Sequence, residues 1–171
     1  MLHFISLALL PTLLIIAAIS DFMTYKIPNW LTLLTAILFL PMALATALPL
    51  HDYVWHIAAG LLLFSLGFIL WQFGLLGAGD VKLMAAAGLW LGMSQVSSFV
   101  IDTALAGVAQ AICMGAWAML MFSTNLSGDE GKLGTFWAKL RTKSPNLPYG
   151  VSIAIGGILA FQNTWWLHGM Q

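Results

Sequence analysis

Charge is what this chain has least of. Six Lys and Arg stand against six Asp and Glu, together 7% of 171 residues, while 61% are hydrophobic and the mean hydropathy is +0.94. A soluble domain with one buried core is excluded, because several apolar runs approach the roughly 20 residues needed to cross a bilayer. The balanced charge removes the electrostatic footprint of a nucleic-acid partner. Cysteine is absent but for Cys113, which excludes an intrachain disulfide and a cysteine zinc cluster; inside an apolar run this thiol reads as a buried packing residue. No Lys or Arg precedes the first apolar run, so Ala18-Ile19-Ser20 does not read as the end of a cleaved signal peptide. No glycine-rich nucleotide signature occurs, and no cofactor is expected.

What is present is a series of six apolar segments, over residues 2–19, 28–48, 54–73, 81–93, 99–122 and 147–167. Ile27 is biased away from helix by Pro28, and Pro28 suits the first turn of the next one. Pro49, His51 and Asp52 form a turn before the third segment, and Ser94-Gln95 with Ser97-Ser98 form one before the fifth. The fourth segment is short for a span, and charge arbitrates. With six crossings, Lys26, Lys82, Lys132, Lys139, Arg141 and Lys143 fall on one side of the membrane and no Lys or Arg on the other. The expectation is an all-α polytopic membrane protein, one domain over 1–171, with six transmembrane helices and both termini outside. Trp30 and Trp71 then suit the inner interface, and Trp55, Trp90, Trp165 and Trp166 the outer one. In the loop 123–146, Phe136, Trp137 and Leu140 interleave with Lys139, Arg141 and Lys143, as in a short helix lying on anionic headgroups.

Ionisable groups at membrane depth are costly, so each needs an account. Asp129 and Glu130 sit in the open loop, Asp52 in an outer turn, and Asp102 near an outer helix end as a solvated or hydrogen-bonded residue. Asp21 and Asp80 both fall at inner ends of apolar segments and form a separable pair. Asp80, after Gly77-Ala78-Gly79, reads equally as an N-cap and as a functional acid. Asp21 follows a helix at its carbonyl end, where the macrodipole disfavours it and capping does not explain it. Lys82 is two positions from Asp80 and so does not face it on a helix; it reads as snorkelling to lipid phosphate. Gly88 and Gly92 form a small-residue pattern for close packing that would help hold Asp80 against the first helix. His3, His51, His56 and His168 map to the outer side as interfacial residues without metal-ligand spacing. Two carboxylates at a wet site can share one proton, one taking a proton from water and the other donating to a carbonyl oxygen. The helix ends assign the first role to Asp80 and the second to Asp21.

Asp21 followed by Lys26-Ile27-Pro28-Asn29, and then Gly77-Ala78-Gly79-Asp80-Val81-Lys82-Leu83, resemble the two signatures of bacterial type IV prepilin peptidases, aspartyl proteases of the GxGD class. Pro148-Tyr149-Gly150 opening the last helix adds to the resemblance, which covers most of the chain. It implies that Asp21 and Asp80 are catalytic, with Gly77, Gly79, Lys82, Pro28 and Asn29 supporting them. It further implies substrates that are pilin precursors with a basic cytoplasmic leader, cut before a hydrophobic helix, in the bacterial inner membrane. Paired cysteines of the larger methylating members are missing, so the chain resembles the short form of tight-adherence pilus systems. Competing readings are a small proton- or cation-coupled transporter, although no acid lies near mid-span, and a non-catalytic scaffold of a pilus assembly machine.

Overall fold

The computed structural model describes residues 2–124, 147–164 and 166; the loop helix expected within 123–146 falls almost wholly outside them. Among the described residues there is helix and no strand: α1 (Leu2–Thr24), α2 (Asn29–Ala45), α3 (Leu50–Gln72), α4 (Ala78–Leu91), a 3-10 turn (Met93–Gln95), α5 (Val96–Thr124) and α6 (Tyr149–Phe161). Leu7–Thr24, Leu50–Gln72 and Met93–Trp117 are long and apolar enough to cross a membrane; Asn29–Ala45 and Tyr149–Phe161 are shorter apolar helices. At 14 residues, α4 is about 20 Å long.

Proline starts three of the helices. Pro28, Pro49 and Pro148 are the N-caps of α2, α3 and α6, where a missing N–H costs nothing and φ is already helical. Left-handed residues close the first three helices: Tyr25 (φ 53) after α1, Ala47 (φ 57) after α2 and Gly74 (φ 71) after α3. The Tyr25 N–H donates to the Asp21 carbonyl at 2.8 Å, and Leu48 and Leu75 close six-residue rings onto Ala43 and Leu70, the helix-ending geometries that glycine or a strained residue permits. Helices therefore run past the apolar segments. Asp21 lies in the last turn of α1 and Asp80 in the first turn of α4, and His51 and Asp52 belong to α3 rather than to a turn. Ser97 and Ser98 likewise fall inside α5.

The bundle is built around α4, which packs on α3, α2 and α6, while α6 also packs on α1 and α5. Lipid is as apolar as leucine, so close approach and interhelical hydrogen bonds must hold such a bundle. At the α3–α4 seam a Cβ on Gly88 would stand 3.0 Å from the Ala59 carbonyl oxygen and 3.0 Å from the Gly60 Cα. The Gly88 contact thus joins α4 to α3 and not to α1. Gly92 (φ 72) ends α4 facing the His56 ring. His56 is buried, donates from Nδ1 to the Leu89 carbonyl at 2.6 Å and stacks on Phe39, so it is a core residue and not an interfacial one. Trp90 and Trp166 also depart from the interface expectation. Both are buried; Trp90 donates to the Thr35 carbonyl and Trp166 to the Trp90 carbonyl, each at 2.8 Å. Trp30, Trp55 and Trp71 are exposed, as interface residues would be. Cys113 is exposed on α5, which corrects its reading as a buried packing residue.

Candidate active site

Asp21 is 5% exposed and Asp80 8%, so both carboxyls are withdrawn from solvent despite the expense of burying charge. Each is held through one oxygen. Asp80 stands three residues inside α4 and its Oδ2 accepts the N–H of Gly77, the N-cap, at 3.0 Å. This is half of a capping box, with the acid reaching back as the N3 residue instead of serving as the cap itself. Asp21 Oδ2 accepts the N–H of Gly150 at 2.7 Å. Gly150 is the second residue of α6, so its N–H is one of the orphan donors at a positive helix end. Asp21 is therefore a cap after all, of a helix 129 residues away and not of its own. With both acids at helix N-termini, the helix-end argument no longer distinguishes their roles.

Ile27 joins the two halves of the site. It is buried, and a Cβ on Gly79 would meet its Cβ at 3.2 Å, while a Cβ on Gly150 would meet its Cδ1 at 3.0 Å. Asp80 reaches this wedge through its neighbour Gly79, and Asp21 through its donor Gly150. The segment that carries Ile27 is fixed from α1: Ser20 Oγ and Thr24 Oγ1 donate to the Lys26 carbonyl at 3.0 and 3.2 Å. Pro28 follows as the extended N-cap of α2. Gly150 is required by contact: a Cβ there would lie 2.8 Å from the Asp21 Cβ and 2.9 Å from Oδ2.

Lys82 and Asn29 meet each other. The Lys82 Nζ donates to Asn29 Oδ1 at 2.8 Å on an exposed face, tying α4 to α2, so the ammonium has a protein partner where a lipid phosphate was expected. Further in, the Gln110 side chain donates to the Pro148 carbonyl at 3.1 Å and accepts the Ser152 hydroxyl at 2.7 Å. This amide anchors the start of α6, and with it the Gly150 N–H, to α5. Neither Gly150 nor Gln110 was singled out for this from sequence; the visible signal was the glycine directly after Pro148-Tyr149. Asp102 is half-buried about two turns into α5, away from the pair. Among the described residues no three His, Cys, Asp or Glu side chains cluster as ligands for a metal ion.

The arrangement offers two buried carboxyls, each with one oxygen fixed by a backbone N–H at a helix start. The model of the type IV leader peptidase family matches residues 8–112, a stretch that contains both acids. Prepilin leader peptidase/N-methyltransferases of Burkholderia pseudomallei strains 1026b and K96243 are each 34% identical over 95 residues. That stretch is 52% of this chain and 24% of either relative, so the match spans about a quarter of the curated relatives' length. No solved structure matches the chain. With the family model covering well over half of it, this chain belongs to the type IV leader peptidase family.

Proposed function

We propose that the protein is a membrane-embedded aspartyl endopeptidase that removes the basic leader from prepilin-like precursors, with Asp21 and Asp80 as its catalytic pair. The observation that carries the reading is that two buried carboxyls, from the end of α1 and the start of α4, are each held by a backbone N–H of a glycine at a helix start, with Ile27 packed against both helix starts. Two such acids share one proton, because like charges a few ångströms apart do not both ionise easily. The ionised member takes a proton from water as the water attacks the scissile carbonyl carbon, and the protonated member donates to the carbonyl oxygen. Collapse of the tetrahedral intermediate returns a proton to the leaving amine. Gly77 and Gly150 hold one oxygen of each acid, which leaves the other oxygens to exchange protons with water and substrate. Gly79, Pro28 and Asn29 shape the surroundings, and Lys82 braces α4 against α2. The proton roles belong to the pair as a unit.

The proposed topology is six crossings with both termini outside and the acid pair at the cytoplasmic face of the bacterial inner membrane. Three helices of spanning length and the shorter apolar α2 and α6 support it, together with the segregation of all six Lys and Arg to one set of loops and helix ends. The shorter α4 fits because its flanks are protein rather than lipid. The test is co-expression with a pilin precursor, comparing wild type with Asp21→Asn and Asp80→Asn on immunoblots. Wild type yields the shortened product and both variants leave precursor intact; normal processing by either variant removes that acid from the mechanism.

A further inference from the structure

Two apolar grooves flank α4, on different faces of it. One, of about 680 Å³, lies between α2, α3 and α4 and is bounded along α4 by Lys82, Ala85, Ala86 and Leu89. The other, of about 360 Å³, opens between α3 and α5, with Met84 of α4 and Tyr149 and Ile153 of α6 among its walls. Helical spacing separates them. Met84 is four residues from Asp80 and shares its face, whereas Lys82, Ala85 and Leu89 project from the opposite side. On α6, Tyr149 adjoins Gly150, the donor to Asp21, and Ile153 is one turn further along the same face. Leu76, also in the second groove, adjoins Gly77, the donor to Asp80.

Charge separates them again. The first groove has the Lys82 ammonium at its wall, which suits an anionic headgroup and repels a basic segment. The second has no charged residue in its lining, and its Leu76 and Tyr149 adjoin the glycines that hold the two carboxyls, which suits an apolar helix whose flank is basic. Its α3 and α5 walls do not pack on one another as neighbouring pairs in the bundle do, and α5 is the least buried of the spanning-length helices.

We propose that the α3–α5 groove seats one face of the precursor's apolar helix, so that the bond between that helix and its basic leader arrives at Asp21 and Asp80. The proposal rests on the leader-peptidase reading above. A space of this volume does not enclose a helix; it receives side chains at i, i+3, i+4 and i+7 from one face, and bilayer covers the other. The small residues Ala104, Gly107 and Ala111 on the α5 wall allow the two helices to approach closely.

Crosslinking tests this in a Cys113→Ala background, with Asp80→Asn to retain uncut precursor. Val108→Cys places a thiol in the α3–α5 groove and Leu33→Cys places one in the other groove. Membranes are oxidised with a precursor carrying single cysteines along its apolar helix. Val108→Cys is expected to form disulfides with helical periodicity and Leu33→Cys none. Crosslinks at Leu33→Cys alone, or at neither position, overturn the proposal, the latter leaving the groove to lipid. A second arm uses the active protein: Ala104→Phe fills the groove and raises KM for precursor by about tenfold, while Ala36→Phe in the other groove leaves KM unchanged. If wild type does not process precursor, the peptidase reading itself fails; if it does and Ala104→Phe behaves as wild type, only the groove is refuted.

Discussion

Gly150→Ala perturbs the contact that positions the Asp21 carboxyl. The added Cβ would stand 2.8 Å from the Asp21 Cβ and 2.9 Å from Oδ2, against the 3.5–4.0 Å at which carbon atoms normally touch. Relief requires a separation of about 0.7 Å or more between α6 and the carboxylate. The 2.7 Å bond from the Gly150 N–H to Oδ2 then stretches to about 3.4 Å, beyond the useful range. Escape by tilting α6 is opposed by the Gln110 link to Pro148 and by Ile27 at 3.0 Å on the other flank. A lost hydrogen bond to a charged group costs ~1.5–3 kcal/mol, and a displacement near 1 Å at a reacting group costs on the order of 100-fold in rate. Processing of a purified precursor, followed by gel shift in detergent, should therefore slow by about two orders of magnitude. Thermal unfolding monitored by tryptophan fluorescence should show a loss of stability within that same ~1.5–3 kcal/mol, with the bundle still folded at the assay temperature. Turnover within a few-fold of wild type would show that the Gly150 contact does not position Asp21 for catalysis, and the geometric argument would fall.

Other consequences follow from the same contacts. A pair that works by sharing one proton has no base when both acids are protonated and no acid when both are ionised, so kcat should fall on both sides of an optimum; a rate that stays flat toward low pH would contradict sharing. Gly88→Val drives a branched side chain into the Ala59 carbonyl and the Gly60 Cα, and overpacking of this kind should lower stability by about 1–3 kcal/mol, read as earlier thermal unfolding. Trp90→Phe removes the bond to the Thr35 carbonyl, which keeps its helical partner within α2, and should cost about 0.5–1.5 kcal/mol in the same assay. Lys82→Met removes an exposed hydrogen bond to Asn29 and should change stability by less than about 1 kcal/mol.

The acids were legible in sequence because they are expensive in a chain with so few charges, and because their flanking motifs are specific. Their supports were less visible. The donor to Asp21 is separated from it by 129 positions, and no local pattern announces that a helix end elsewhere will cap it. The same blindness turned the helix-end argument into a difference between the acids that the tertiary contact removes. Tryptophan invited assignment to the interface, yet the N–H groups of Trp90 and Trp166 found backbone carbonyls in the interior, where an amphipathic ring is equally satisfied. Cys113 shows the limit of hydropathy in a membrane protein. Lipid-facing and packed positions are both apolar, so the run that contains it does not say which way the thiol points. Helix ends slipped for a related reason, since Ser20 and Thr24 continue α1 by bonding the next loop's carbonyl.

The central claim, that Asp21 and Asp80 act together as a water-activating pair, is tested most directly with purified protein and precursor under single-turnover conditions. Rates for wild type, Asp21→Asn, Asp80→Asn and the double variant should be compared, with product masses identifying the cut. The account predicts leader release by wild type and loss of at least about 100-fold in each single variant, with little further loss in the double because the two act as one unit. A single variant that retains wild-type rate, or losses that multiply independently in the double variant, would contradict it.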